Sequence, residues 1–322
     1  IGFHIARALL ARGERVIGVD DLNPYYDPAL KRARVDALTQ EFGERLTFHQ
    51  VNFADAAAVH DALGDRELNR IVHVGAQAGV RYGSENPGAY VQSNLVGHMN
   101  ILELARGRAV PHLVYASSSS VYGGSGTVPF RVEDRADRPL SLYAAAKRAD
   151  ELLSESYSSL YRIPTTGLRF FTVYGPWGRP DMAMWLFTKA ILAGDPVRLF
   201  NRGQMRRDFT YVDDVVAGVI ASLESPPIDD GAEKPGGSRA PHALYNIGNN
   251  HAEDLMRLIA VMEDALGRKA RTEMLRAQRG EVIVTCADIS EIRRDFGFEP
   301  KTTIEEGVPR FVEWYKGYHG IG

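Results

Sequence analysis

The sequence has few of the residues that mark secreted, membrane or nucleic-acid-binding proteins. It contains one cysteine, Cys286, so no internal disulfide can form and a reducing, cytoplasmic location is the expectation. We find no signal peptide and no apolar run of about eighteen residues, so we expect no membrane partner. The formal net charge is −3, so we expect no nucleic-acid partner, and we also expect no metal site. Residues 282–288 predict a half-buried strand in which Cys286 is structural.

Lysine is also scarce, with 7 Lys against 31 Arg. Arginine suits bidentate recognition of phosphate and carboxylate, although a compositional bias of the source explains the ratio equally well. A dinucleotide-binding fold needs a glycine-rich turn between its first strand and first helix. Only the tail of such a turn is visible, at Ile1 and Gly2, so we interpret the first strand as truncated. A single glycine before a helix is equally typical of a plain turn.

What the sequence does contain is a regular alternation of short β-branched strands and helices. This alternation predicts an α/β fold in which a doubly wound parallel (Rossmann) sheet is covered by helices on both faces. Ligands of such sheets bind at the carboxyl ends of the strands. The predicted strands are residues 15–20, 46–51, 70–75, 113–117 and 165–170, and the predicted helices are residues 3–12, 28–42, 54–63, 87–107 and 141–160.

Beyond residues 174–178 the alternation weakens, and Pro, Gly and Arg become frequent. We therefore expect a dinucleotide-binding domain at residues 1–168, with a return segment at about 209–247. A smaller α/β substrate-binding lobe would then consist of residues 169–208 and 248–322. Within the return segment, residues 225–241 are rich in Pro, Gly and Asp and predict an exposed loop.

Polar residues stand at the ends of the predicted strands. Asp20 ends a strand about 20 residues beyond the glycine turn, where a carboxylate accepts both ribose hydroxyls of NAD and repels the 2′-phosphate of NADP. A helix N-cap or turn aspartate is the alternative interpretation. Asn52 and the turn with Ala76 and Gln77 follow two further strand ends, where adenine and ribose contacts would fall.

Tyr143 and Lys147 lie four residues apart in a predicted helix, so their side chains share one face. A free tyrosine, with a pKa of about 10, is a poor base at neutral pH. A nearby ammonium and an oxidised nicotinamide both favour the phenolate, which makes the pair a plausible general base for a sugar hydroxyl. Residues 117–120 are four serines at a strand end, where a hydroxyl can bind the same substrate oxygen. A chance pair and a plain serine-rich turn are the alternatives.

Together these motifs resemble the extended short-chain dehydrogenases/reductases, and several blocks are similar to UDP-glucuronate 4-epimerases. The resemblance covers essentially the whole chain. Its most specific blocks are residues 166–182 and 205–213. The further blocks are residues 73–82, 93–97, 245–250 and 300–308.

The resemblance implies an isomerase that inverts C4 of a UDP-hexuronic acid, from UDP-glucuronate to UDP-galacturonate. NAD would stay bound throughout the cycle. Tyr143 would remove the proton of the C4 hydroxyl with help from Ser118, while Lys147 holds the nicotinamide ribose and supports the phenolate. The C4 hydride would move to the nicotinamide and return to the other face of the 4-keto sugar. A homodimer that pairs through two helices, including the Tyr143 helix, is also implied.

The same resemblance assigns the other site residues. Arg207 would meet the diphosphate, and Arg179 or Arg81 would lie near the uronate carboxylate. The expected cofactor-binding residues are Gly2, Asp20, Asn23, Asn52, Phe53, Ala76, Gln77, Asn94, Ser117, Tyr143 and Lys147. The expected substrate-binding residues are Arg81, Ser118, Ser119, Ser120, Thr172, Arg179, Arg207, Gln278 and Glu281.

Three other functions stay open at this point: a UDP-glucose 4-epimerase, a UDP-glucuronate decarboxylase, and a catalytically silent protein that binds NAD or a nucleotide sugar. Related 4,6-dehydratases carry an Asp-Glu pair in the serine turn, and decarboxylases usually carry a glutamate there. Ser118, Ser119 and Ser120 replace them here, which argues against elimination of water and against loss of carbon dioxide. The intact Tyr143 and Lys147 pair argues against a silent protein.

Overall fold

The computed structural model describes residues 1–79, 82–276 and 282–321. Helices and strands alternate through the first half of these residues, at the positions that the sequence predicts to within a few residues. The elements of this half are α1 (Gly2–Ala11), β1 (Val16–Asp20), α2 (Pro28–Phe42), β2 (Leu46–Gln50), α3 (Ala56–Leu63), β3 (Ile71–His73), α4 (Pro87–Tyr90), α5 (Gly97–Gly107), β4 (Leu113–Ser118), α6 (Leu142–Tyr161) and β5 (Thr165–Phe170).

The second half mixes short strands with longer helices. Its elements are β6 (Thr172–Tyr174), α7 (Ala183–Ala193), β7 (Val197–Leu199), β8 (Arg206–Tyr211), α8 (Val212–Glu224), β9 (His242–Ile247), β10 (Ala252–Asp254), α9 (Leu255–Leu266), β11 (Thr272–Met274), α10 (Ser290–Phe296) and α11 (Ile304–His319).

A four-stranded parallel sheet in the order β3-β4-β5-β9 forms the centre of the structure. Every residue of β5 and β9 is buried, as is usual for a parallel sheet covered on both faces. The helices α5 and α6 pack together and contact β3 and β4, while α8 contacts β4 and β5 and packs on α1. The predicted doubly wound α/β fold is therefore confirmed.

The strands β1 and β2 form a separate parallel pair. Among the described residues no β-ladder joins β1 to β3. Both β1 and β3 line one cavity of about 2160 Å³. Helix α1 enters at this cavity, where a Cβ on Gly2 would lie 3.1 Å from Val74 Cγ2.

Two further small sheets lie outside the main sheet and the β1–β2 pair. In one, β8 pairs parallel with β6 and antiparallel with β10, and in the other β7 pairs with β11. The predicted return segment rejoins the main sheet through β9, which pairs with β5. Its first residues do not, because Phe209–Tyr211 pair with Thr172–Tyr174 in the small sheet. The division into two domains stays a prediction.

The helices predicted around 87–107 are confirmed, and they are joined by a π-helical turn, Val91–Val96. One local expectation was wrong. The segment around Cys286 is not a strand: its pairing is limited to isolated bridges at Val284 and Ala287, because the Ala287 N–H donates to the Asp208 carboxylate instead of a ladder partner. Burial raises the pKa of the Cys286 thiol to about 11, which fits a structural role.

The predicted exposed loop at 225–241 has no helix or strand, in agreement with its composition. Many of its residues are exposed, and the Lys234 ammonium pairs with the Asp230 carboxylate at 2.5 Å. Across the described residues, no helix combines the length and the apolar character that crossing a bilayer requires.

Candidate active site

The cavity runs over the carboxyl ends of β3, β4 and β5, the edge at which parallel sheets present their ligands. Helix α6 begins at this edge because Ser141 caps it: the Ser141 Oγ accepts a hydrogen bond from the Ala144 N–H at 3.1 Å. Tyr143 and Lys147 therefore lie in the first two turns of α6, one turn apart, and both line the cavity. The predicted juxtaposition of these two side chains is what the structure has.

Lys147 is fixed beneath the cavity. Its side chain is 2% exposed, and its Nζ donates to the Ala116 carbonyl and to Asp150 Oδ2, both at 3.0 Å. Tyr143 is half-buried and its ring stands edge-on to that of Tyr90, 6.4 Å between centroids. An ammonium has three donors, so one remains for a ligand of the cavity.

The serine turn after β4 divides into two parts. Ser117 points into the protein, where its Oγ donates to Glu151 Oε1 at 2.5 Å. Ser118 begins a 3₁₀ turn: its Oγ accepts from the Ser120 N–H at 3.2 Å and donates to the Ser120 Oγ at 3.1 Å. Ser118, Ser119 and Ser120 line the cavity and present hydroxyls to it.

A buried ion pair lies under the serine turn. Arg169 on β5 donates to Glu151 on α6 at 2.8 and 3.0 Å, and Arg148 adds a third contact at 2.8 Å. Burial opposes ionisation of Glu151, but Arg169 and the hydrogen bonds from Ser117 and Arg148 outweigh it and hold the pKa of this carboxyl below its usual value. The pair ties the helix to the sheet next to Tyr143 and Lys147.

Asn94 is hydrogen-bonded to the backbone of Gln77. It lies in the π-helical turn, a feature that often marks functional sites, and is 1% exposed. Its Oδ1 accepts from the Gln77 N–H at 2.8 Å and its Nδ2 donates to the Gln77 carbonyl at 3.0 Å. The amide thus fixes the turn in which Ala76 and Gln77 line the cavity.

The cofactor-side residues of β1 and β2 differ in where they point. Asp20, with a side chain 52% exposed, lines the cavity while its Oδ1 accepts from the Leu22 N–H at 2.7 Å. Asn23 also lines the cavity, but its Oδ1 accepts from the Tyr25 N–H and from Lys31 Nζ, both at 3.2 Å. Asn52 is exposed and its Oδ1 accepts from the Ala54 N–H at 2.9 Å, which closes a turn. A ligand role for Asn52 stays a prediction.

The ring of Phe53 fills the space next to two glycines. A Cβ at Gly75 would lie 2.8 Å from this ring, and one at Gly97 would lie 2.3 Å from it. The Phe53 side chain therefore packs the turn after β3 against α5. Its assignment to the cofactor also stays a prediction, although it lines the cavity.

The opposite wall is formed by a loop that follows β6. Gly175 has a φ of +146°, and a Cβ there would lie 2.6 Å from Val212 Cγ1, so the turn requires glycine. The Pro176 carbonyl oxygen accepts a hydrogen bond from His4 Nε2 at 2.8 Å. Arg34 donates to the Trp177 carbonyl at 2.6 Å, which anchors the loop to α2.

Arginine stands on this wall as predicted. Arg179 makes two hydrogen bonds to Asp181, both 2.9 Å, and Tyr25 donates to the same carboxylate at 3.2 Å. Arg207 and Thr172 line the cavity as well, and Arg207 Nη1 donates to the Ile283 carbonyl at 2.9 Å. Of the other predicted substrate contacts, Arg81, Gln278 and Glu281 lie outside the described residues.

Sequence reasoning missed three acids at the site. Asp150 and Glu151 follow Lys147 by three and four residues, a spacing that places them on its face of the helix and was the available signal. Asp181 stands two residues after Arg179, and nothing in its spacing indicates the bidentate pair. In the described part of the chain, no group of three or more His, Cys, Asp or Glu side chains could hold a metal ion.

Comparisons with known proteins identify the family. The NAD dependent epimerase/dehydratase family matches residues 1–248. The chain is 46% identical to Protein CapI of Staphylococcus aureus over 99% of its own length and 96% of that protein. It is 42% identical to UDP-glucuronate 4-epimerase 2 of Arabidopsis thaliana, over 100% of this chain and 75% of the relative. The crystal structure of UDP-glucuronic acid 4-epimerase from Bacillus cereus, in complex with UDP-glucuronic acid and NAD, superposes with a TM-score of 0.86 at 28% identity, covering 99% of this chain and 96% of that one.

We predict that Asn94→Ala loosens the turn after β3. Two hydrogen bonds to buried backbone groups are lost, at about 1–3 kcal/mol each, so the melting temperature should fall by roughly 4–10 °C. The matched control is Asn100→Ala in the same helical region, which loses one bond to the Phe53 carbonyl and should cost roughly 1–3 °C. Equal losses in the two variants would show that the Gln77 turn does not depend on Asn94.

Proposed function

The chain belongs to the NAD dependent epimerase/dehydratase family, and from this membership we propose that it is an isomerase that interconverts UDP-glucuronate and UDP-galacturonate at C4. The observation that carries the proposal is the position of Tyr143 and Lys147. Both stand in the first turns of α6, on the same cavity wall as Ser118–Ser120. A phenol beside an ammonium at the end of a parallel sheet is suited to move a proton on a sugar hydroxyl.

The residues around the cavity fit NAD. Helix α1 begins at Gly2 on the cavity, and in the described structure no side chain caps its first N–H groups and no acid stands in its first turn. Its positive end is therefore suited to a pyrophosphate. The half-exposed carboxylate of Asp20 stands at the end of β1, where it can accept two ribose hydroxyls. Lys147 keeps one N–H donor for the nicotinamide ribose.

The cofactor supplies a reversible hydride acceptor for the carbon that is inverted. The chain's own residues move the proton: Tyr143 takes it from the C4 hydroxyl and gives it back when the keto group is reduced again. The Ser118 O–H turns from the Ser120 Oγ to the same sugar oxygen and donates a hydrogen bond to it, which stabilises the charge that develops there. Because Lys147 is held by the Ala116 carbonyl, its charge stays beneath the reacting atoms throughout the cycle.

The arginines select the substrate. Arg207 meets the diphosphate, and Arg179 meets the carboxylate at C6 of the hexuronic acid, with Thr172 alongside. Asp181 holds Nε and Nη2 of Arg179, which fixes the plane of the guanidinium and leaves its Nη1 donors for the substrate carboxylate. The serine turn at Ser118–Ser120 supplies no carboxylate for the elimination of water. This supports epimerisation over dehydration.

We also place the active protein in the cytoplasm, as a homodimer that pairs through α5 and α6. Exposed apolar side chains on α6 support this arrangement: Leu152 is 52% exposed and Leu160 is 69% exposed. Such side chains on a helix next to the active site are typical of a covered surface.

We predict that Tyr143→Phe abolishes the conversion of UDP-glucuronate to UDP-galacturonate. The variant loses the proton acceptor and nothing else, so the melting temperature and the Kd for UDP-glucuronate should stay within about twofold of the parent values. Product analysis by chromatography, together with a binding titration, measures both. Turnover within about tenfold of the parent would remove Tyr143 as the base.

We predict that Arg179→Ala raises the KM for UDP-glucuronate by about 100-fold or more, because an Arg–carboxylate contact in a half-buried site contributes about 3 kcal/mol. The same change should raise the KM for a neutral UDP-hexose by less than about threefold. Arg293→Ala, an exposed arginine paired with Glu299 and outside the cavity lining, is the matched control and should alter neither value. Equal losses on the two substrates would contradict a carboxylate contact at Arg179.

A further inference from the structure

The Lys147 ammonium has a buried partner that the proposed chemistry does not use. Asp150, one turn further along α6, is 0% exposed, and its Oδ2 accepts from Lys147 Nζ at 3.0 Å. Its other oxygen, Oδ1, has no hydrogen-bond partner among the described residues. A carboxylate in this position bears the full cost of desolvation for a single hydrogen bond.

An asparagine would fit the same volume and accept the same hydrogen bond at a smaller desolvation cost. The one thing that the carboxylate adds is its charge. Removing charge from a buried pair while leaving the partner charged is strongly destabilising, because the remaining ion has no counter-charge. The aspartate is therefore best explained by what its charge does for Lys147.

The other ionisable groups near Lys147 cannot take this role. Glu151, next on α6, is committed to Arg169 at 2.8 Å and to Arg148 at 2.8 Å. Burial, followed by the charge of Lys147, lowers the pKa of His73 on β3 to about 3. Burial likewise lowers the pKa of His98 on α5 well below its usual value, with His73 and Lys147 adding to the effect. Both histidines are neutral at physiological pH and supply no charge.

The remaining ionisable groups near Lys147 are phenols. Tyr115 on β4 is fully buried, and burial, together with the charges of Glu151 and Asp150, raises its pKa well above the usual value. Tyr143 lies one turn before Lys147 on the cavity side. Asp150 is thus the anion that balances Lys147.

We propose that Asp150 is a positioning residue that keeps the buried Lys147 ammonium charged and holds it against the Ala116 carbonyl, so that its charge is available to Tyr143. The inference rests on the proposed function for its catalytic consequence only. Burial raises the pKa of Asp150 to about 6, against the opposing effect of Lys147, so the pair is ionic from neutral pH upward.

The first test is the pH dependence of kcat for UDP-glucuronate in the full chain with added NAD. Asp150→Asn removes the counter-charge of the ammonium, so we expect the alkaline limb to move to lower pH by about one unit. At a pH above both limbs this corresponds to a fall of about tenfold in kcat, while KM changes by less than about threefold. Asp150→Glu keeps the charge and should restore the limb.

Glu151→Gln is the matched control. It removes the neighbouring buried carboxylate, one that pairs with Arg169 instead of Lys147, so it should lower the melting temperature without moving the alkaline limb. An unmoved limb in Asp150→Asn, or the same shift in Glu151→Gln, would overturn the proposal.

The second test needs no catalysis and separates this inference from the proposed function. In Lys147→Met the Asp150 carboxylate is buried without its cation, and the melting temperature at pH 8 should fall by roughly 6–10 °C. The double variant Lys147→Met, Asp150→Asn carries neither charge and should regain at least half of this loss. No recovery would overturn the charge coupling. An inactive parent protein that still shows the recovery would overturn the proposed function and leave the coupling established.

Discussion

The hydrogen bond from the Lys147 ammonium to the Ala116 carbonyl, 3.0 Å long, is the contact on which the site depends. It joins the second turn of α6 to the carboxyl end of β4, and so fixes where the helix face lies relative to the sheet. Because Tyr143 stands one turn earlier on that face, its phenol is directed to the same end of β4 as Ser118. Register along the sheet then brings β5 beside β4, with Arg169 opposite Ser117.

This arrangement requires ions in the protein interior. Lys147 with Asp150 and Arg169 with Glu151 are both almost wholly buried. Buried pairs seldom add net stability over apolar residues of the same size, since desolvation offsets their attraction. Two such pairs side by side under the cavity are therefore better explained by the chemistry above them than by stability. One pair fixes the helix to the sheet, and the other sets the charge near the reacting phenol.

Much of the fold could be predicted from the sequence, because strands such as β1 and β4 begin with short apolar runs and lie between helices with clear ends. The Tyr143 and Lys147 spacing and the serine turn were equally readable, since both are local patterns. The place of Asn94 was readable only as a resemblance. Its bonds to the Gln77 backbone depend on the π-helical turn, which no spacing rule indicates.

Other parts depend on contacts between distant segments. The segment around Cys286 has the composition of a strand, yet Asp208, far away in sequence, takes the Ala287 N–H that a ladder would use. The Arg179 and Asp181 pair depends on the loop conformation at Gly175, and the burial of Asp150 was not predicted because a polar residue in a helix is usually exposed.

The central claim is that Tyr143 moves the hydroxyl proton while a hydride leaves C4 of the sugar and returns to the same carbon. It is tested most directly by incubating the protein and NAD with UDP-glucuronate carrying deuterium at C4. The account predicts UDP-galacturonate that retains the deuterium at C4, and a product that has exchanged it for solvent hydrogen would contradict the account.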